Sequence, residues 1–342
     1  MQRHAGQAVE SGRWQTAGAA GTWAPRARSR RRESMQVGFI GIGTMGAGMA
    51  LNLRKAGYPL RVHDLRRECA QAHEAAGAVW AASIAEVGRA CDVVFTSLPG
   101  PADVEAVALA ADGLLASMRP GSAWFDLTTN SPSLLRRLGP MFAQKGIHFL
   151  DAPVSGGPAG ARSGKLALYI GGDDATFRRH KPLLDAIGDQ AMYVGPLAAG
   201  TIAKLSHNCA SFGIRMVIAE VFSLGVKAGV EPLALWHAMR QGATGRRRSF
   251  DGVGEQFLQN RYEPAAFALR LAHKDMMLAL DLARESGVPM PMAEQASQDF
   301  KAALERGWGE QDSRSPMRLQ LERAGVHIEE SAEAVRTTLE RD

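Results

Sequence analysis

Three stretches carry residue types whose spacing suits chemistry. The first is "MQVGFIGIGTMGAGMALNLRKAGYPLRVHDL", residues 35–65, where Gly41-x-Gly43-x-x-Gly46 follows an apolar, β-prone run and opens a helical pattern reaching Lys55. The second is "DAPVSGGPAGARSGKL", residues 151–166, with four glycines and a Gly164-Lys165 pair. The third is a pair of lysines in apolar company. Lys204 and Asn208 are four apart on one face of a helical pattern that Ser211 and Arg215 continue, and Lys274-Asp275 interrupts "FALRLAHKDMMLAL". Residues three or four apart on a helix are neighbours. Such a polar stripe suits a solvated face or a functional cleft. Lysine is seldom buried unless paired, so Lys274 either snorkels to the surface or points into a cleft.

The glycine pattern of the first stretch has the context that makes it specific: a strand before it, a helix after it, and Asp64 eighteen residues past Gly46 at the end of a second strand, Leu60 to His63. Gly41 permits the tight turn, Gly43 bares the backbone to a pyrophosphate, and Gly46 lets helix and strand pack closely. The pyrophosphate sits on the helix N-terminus, where unpaired N–H groups and the dipole favour an anion. Asp64 suits the ribose hydroxyls and therefore NAD, while Arg66 and Arg67 suit a 2′-phosphate and keep NADP open. The second stretch fails as a phosphate-cradling P-loop. Its first glycine should stand at Ala159, and Lys165 is followed by Leu166, which has no hydroxyl for a metal.

These pieces need a scaffold. "DVVFTSLPG" (92–100), "SAWFDLTTNSP" (122–132) and "IHFLDAP" (147–153) read as further strands alternating with helical segments, which argues a parallel, doubly wound α/β sheet. Ligands of such sheets lie beyond the carboxyl ends of the strands, where Leu98-Pro99, Thr128-Thr129 and the 151–166 stretch all fall. From 201 to 228 proline is absent, and Leu205, Cys209, Phe212 and Met216 recur at helical spacing, so one long helix is expected. Everything after it reads as helical, with Pro232 and Pro264 at helix starts. The expected organisation is a basic extension over 1–34, a Rossmann domain over 35–196, an all-helical substrate and oligomerisation domain over 197–330, and a tail over 331–342.

Bulk properties exclude several classes. The charge of +5 belongs to residues 1–34, which hold seven arginines against two acids, so the remainder is neutral and a nucleic-acid role is not expected. That leader lacks hydrophobic periodicity and reads as disordered; an organelle transit peptide and an overextended start before Met35 both suit it, and the second is the simpler account. No run of eighteen apolar residues suggests a membrane span. Cys69, Cys91 and Cys209 are scattered, which argues against a disulfide framework or metal site and for a reducing, cytoplasmic setting.

"VGFIGIGTMGAGMALNL", "DAPVSGGPAGARSGKLALYIGG", "GPLAAGTIAKLSHN" and "LAHKDMMLAL" resemble, in order and spacing, the four motifs of the β-hydroxyacid dehydrogenases (3-hydroxyisobutyrate dehydrogenase-like), across roughly residues 36–325. The resemblance implies a Rossmann domain joined by a long helix to an all-α domain, assembled as a homodimer or homotetramer. It implies an NAD(P)-dependent oxidoreductase acting on a small anionic 3-hydroxy acid or its semialdehyde. Lys204 matches the catalytic lysine, Asn208 a substrate-binding asparagine, and Ser155, Gly156 and Gly157 the segment that binds the substrate carboxylate. Gly41, Ile42, Gly43, Thr44, Met45, Gly46, Asp64, Leu98, Pro99 and Thr129 match cofactor contacts, and Lys274 matches a second lysine lining the cleft and touching the cofactor. Two positions depart from the family: His207 stands where Asn is frequent, and Asp103 replaces an Asn expected after the Leu-Pro turn. A tartronate or succinic semialdehyde-type reductase, and a dinucleotide-binding scaffold without catalysis, remain alternatives. Arg246, Arg247 and Arg248 suit a turn over the cleft that would meet a second anionic group, or a solvated loop.

Overall fold

The computed structural model describes residues 35–227, 229–242, 253–285 and 290–340. Residues 1–34 and the Arg246–Arg248 triplet lie outside the described residues. Strands β1 (Val37–Ile40), β2 (Leu60–His63), β3 (Val79–Trp80), β4 (Val93–Thr96), β5 (Ala123–Asp126) and β6 (His148–Asp151) pair in parallel in the order β3-β2-β1-β4-β5-β6. Strand order reverses between β1 and β4, and that reversal makes the crevice in which doubly wound sheets bind ligands. The parallel expectation needs one correction. Strand β8 (Ala167–Gly171) runs antiparallel to both β6 and β7 (Val154–Ser155), and β9 (Gln190–Gly195) then pairs parallel with β8. The link from β6 to β8 holds β7 and a short helix, Gly157–Ser163, and β8 runs back along both of the strands that precede it.

Alternation along each strand divides the core between the two faces of the sheet. Phe39, Phe95 and Phe125 stack across three neighbouring strands, with centroids 6.0 and 5.4 Å apart, and meet Met49 and Leu53 of the helix Gly46–Lys55. Ile40, Val94 and Trp124 face the opposite way and pack under Leu135, Leu138 and Phe142 of the helix Pro132–Gln144. Both faces are covered, which explains why the strands read as continuous apolar runs.

From Ala199 to Lys227 the chain forms one linker helix, starting two residues earlier than the proline-free run suggested. Its start is fixed to the sheet by Asp151, whose carboxylate accepts from the backbone N–H groups of Ala198 (2.7 Å) and Thr201 (2.6 Å). Farther along, the helices Leu269–Glu285, Pro291–Glu305 and Met317–Ala324 pack around it. Pro232 opens a helix as expected, but Pro264 does not. The helix after Pro264 begins only at Leu269, because the Asp312 carboxylate accepts from Ala266 N (3.0 Å) and Phe267 N (3.3 Å) and holds that segment as a loop.

Candidate active site

Two joints in the fold bring the expected residues together. The first is the β1–helix turn. Gly41 adopts φ +87°, and a Cβ there would lie 2.3 Å from Ser97 O. A Cβ on Gly46 would collide with the Gly41 carbonyl, so this crossing of strand and helix admits only glycine. Gly43 has no backbone atom pressing on its Cβ direction, which leaves its amide face open to a ligand. The helix Gly46–Lys55 has no side-chain cap and no acid in its first turn, so its positive end carries no competing anion. Asp64 braces the turn from β2: Oδ2 accepts from Ile42 N at 2.9 Å and Oδ1 from Arg66 N at 3.0 Å. The two arginines beyond it differ. Arg67 is held bidentately by Glu74 and stacks over Trp80, whereas the largely exposed Arg66 stays 3.8 Å from the Asp64 carboxylate. Thr44 and Met45 complete the turn, and the donor set and bare backbone fit the diphosphate and ribose of a nicotinamide dinucleotide.

The second joint lies where the helix Leu269–Glu285, packed on the linker helix, reaches the loops after β4 and β5. Leu98 N donates to Thr128 Oγ1 (3.0 Å), tying the β4 and β5 loops together. Lys274 resolves its ambiguity by pointing inward. Its Nζ donates to Pro99 O (3.3 Å) and Thr129 O (3.2 Å) and pairs with Asp275 at 3.0 Å, leaving the side chain 28% exposed. Asn208 Nδ2 donates to Asp275 Oδ2 at 2.7 Å, so the linker helix and the lysine-bearing helix share one buried carboxylate. Lys204 lies one turn before Asn208 and is only 7% exposed. Burial, helped by the Lys274 charge and opposed by Asp275, brings its pKa down to about 8.

Ser155, Gly156 and Gly157 form the β7–helix turn beside this joint. Gly156 (φ +132°) and Gly157 (φ +62°) take conformations that L side chains avoid, and both are exposed. Ser155 Oγ lies 3.3 Å from His207 Nε2 on the linker helix, which ties this turn to the stripe holding Lys204 and Asn208. Burial and the charges of Lys204 and Arg215 hold the His207 pKa below its usual value, so the ring is neutral near pH 7. Lys165 is exposed and outside this cluster.

The amino-terminal half, residues 36–195, matches the family model for the NAD binding domain of 6-phosphogluconate dehydrogenase. Residues 198–320 match that described as NAD-binding of NADP-dependent 3-hydroxyisobutyrate dehydrogenase. A 2-(hydroxymethyl)glutarate dehydrogenase of Eubacterium barkeri is 34% identical over 297 residues, 86% of this chain and 98% of the relative. The chain belongs to the β-hydroxyacid dehydrogenase family. Another family member, the NAD-dependent L-serine dehydrogenase of Pseudomonas aeruginosa, is 36% identical over 81% of this chain and 95% of its own length. Among solved structures, a Mycobacterium tuberculosis 3-hydroxyisobutyrate dehydrogenase with L-serine superposes with a TM-score of 0.76 at 30% identity, covering 83% of this chain and 98% of that one. As a member of this family the protein is an NAD(P)-dependent oxidoreductase.

Three carboxylates of this β-hydroxyacid dehydrogenase were given no role by the sequence. Asp151 anchors the linker helix one turn ahead of Lys204. Asp275 joins Asn208 to Lys274. Asp126, fully buried at the end of β5, accepts from Thr96 Oγ1, Thr128 N and Asn130 Nδ2, and burial pushes its pKa up to about 6. Each stands at a strand end or beside a lysine in sequence, and only their three-dimensional partners distinguish them from surface acids. Asp103 is exposed on the helix Pro101–Leu109. Among the described residues no cluster of His, Cys, Asp and Glu suits a metal, and no helix is long and apolar enough to cross a membrane.

Proposed function

We propose that this chain moves hydride between a nicotinamide and the carbinol carbon of a small 3-hydroxy acid, with Lys204 as the acid–base group. The observation that carries this is the setting of Lys204: a buried amine with pKa about 8, one helical turn from Asn208, beside a lysine that touches the edge of the dinucleotide crevice. In oxidation the neutral amine of Lys204 takes the hydroxyl proton; in reduction the ammonium returns it. Bound NAD(P) supplies the hydride acceptor or donor. Gly41 to Gly46 hold its diphosphate, Asp64 its adenosine ribose, and Leu98, Pro99 and Thr129 line the crevice toward the nicotinamide. Lys274 stiffens that crevice through the Pro99 and Thr129 carbonyls and adds positive charge near the substrate. Backbone N–H groups at Ser155, Gly156 and Gly157 receive the substrate carboxylate, and Asn208 steers the hydroxyl toward Lys204.

The division into a dinucleotide-binding domain over 35–196 and a helical substrate domain over 197–330 belongs to this reading, as do a homodimer or homotetramer and a cytoplasmic setting. Support comes from the change from sheet to helix between Gly195 and Ala199, from the family, and from three free cysteines. The test is an initial-rate panel of 3-hydroxyisobutyrate, L-serine, glycerate, tartronate and 4-hydroxybutyrate with NAD and NADP, on wild type and Lys204→Ala. Turnover of at least one 3-hydroxy acid, lost in the variant, is expected. No turnover of any, or equal turnover in both proteins, overturns the proposal.

A further inference from the structure

The polar stripe on the linker helix does not stop at Asn208. Positions 204, 208, 211 and 215 fall within one narrow face at about 100° per residue, and the last of them is an arginine. Arg215 is half-buried over the Phe212 ring, and its Nη1 donates to Ser313 Oγ at 2.9 Å. Ser313 is fixed against the segment preceding the Lys274 helix, because its N–H donates to Phe267 O at 2.7 Å. Next to it, Arg314 pairs with Asp312 at 3.0 Å. Asp312 is fully buried and already accepts from Ala266 N, Phe267 N and Arg314 N. Asp312 is therefore committed to Arg314 and to three backbone donors. Among the described residues Arg215 has no acidic partner within ion-pair distance, and only one of its donors is engaged.

A half-buried, unneutralised arginine is costly unless an anion completes it. Burial and the Arg314 charge lower the Arg215 pKa to about 10, so it remains a cation at neutral pH. Its charge is felt at His207, whose ring touches Ser155 in the turn that receives the substrate carboxylate. Arg215 thus stands on the same helix face as Lys204 and Asn208, eleven residues beyond Lys204.

We infer that Arg215, backed by Arg314, is a specificity-determining subsite for a second carboxylate, making the substrate class dicarboxylic 3-hydroxy acids. This rests on the hydride-transfer reading above and extends it to the far end of the substrate. A guanidinium matches a carboxylate with two parallel donors, which neither Lys nor Met reproduces. A monocarboxylic substrate leaves it unpaired.

The test compares kcat/KM for 2-(hydroxymethyl)glutarate and 3-hydroxyisobutyrate on the same preparations of wild type, Arg215→Met and Arg215→Lys. The ratio of the two substrates cancels any loss of folded enzyme. Wild type is expected to favour the dicarboxylate, and Arg215→Met to lower that ratio about 10-fold or more, with Arg215→Lys between them. Glutarate is expected to compete with substrate more strongly than butyrate in wild type and to lose that advantage in Arg215→Met. Turnover of both substrates with the same ratio in all three proteins overturns this inference while leaving hydride transfer standing. Absence of turnover on either, with Lys204→Ala indistinguishable from wild type, overturns both.

Discussion

Asn208 donates to Asp275 at 2.7 Å, and through that bond the linker helix and the helix bearing Lys274 share one buried carboxylate. The same carboxylate lies in electrostatic reach of Lys204 and raises its pKa against the lowering effect of burial. Asp275→Asn keeps the shape and removes the charge. The Lys204 pKa should then fall further below about 8, and the rise of kcat/KM for oxidation should move to lower pH. Initial rates from pH 6 to 10 measure the inflection, and an unmoved one would show that Asp275 and Lys204 are not coupled.

Lys204 itself sets the direction of the pH dependence. Its neutral form is the base, so oxidation should accelerate as pH rises through about 8, and reduction should slow over the same interval. Lys204→Ala should lower kcat/KM by about 10²–10⁴-fold, the usual range for a positioned acid or base. It should also erase the inflection, and dinucleotide binding followed by fluorescence should persist.

At the cofactor turn, Asp64→Ala removes both the expected ribose acceptor and the brace on Ile42 N. Loss of a charged hydrogen bond predicts a rise in KM for NAD of about 10–100-fold. Arg66 would lose its neighbouring carboxylate, while Arg67 stays committed to Glu74, so preference should swing toward NADP. Parallel titrations with the two dinucleotides decide it, and an unchanged NAD/NADP ratio would remove Asp64 from the discriminating role.

Asp126 should give an unusual stability profile. Its folded pKa of about 6 exceeds the ordinary value of 3.8, so the native state holds a proton that the unfolded chain releases between those limits. Its contribution is therefore complete below about pH 4 and declines as pH rises through about 6, by about 3 kcal/mol in all. The difference in Tm between wild type and Asp126→Asn, followed from pH 4 to 7, should drift in wild type's disfavour. A difference that is flat with pH would show that Asp126 is ionised throughout.

Much of the fold was legible because its signals are local. The glycine spacing from Gly41 to Gly46 encodes a turn that only residues without a Cβ can make, and the apolar runs at 92–96 and 122–126 encode strands covered on both faces. Lys204, Asn208 and Lys274 stood out as polar types in apolar helices. Local signals failed where partners were distant. The antiparallel course of β8 is fixed by its pairing with β6 and β7, and the late start after Pro264 follows from Asp312, 46 residues from Ala266.

By itself, the sequence determined the doubly wound half, the helical half and the residue types available to the cleft, because backbone sterics and hydrophobic period act over a few residues. Tertiary structure alone decided that Lys274 points inward to Pro99 and Thr129 rather than out to water. It alone decided that Asp275 serves Asn208 and Lys274 together and that Asp151 seats the helix carrying Lys204. Burial and charge–charge distances set the Lys204 pKa, and both exist only once the two halves of the chain are packed together.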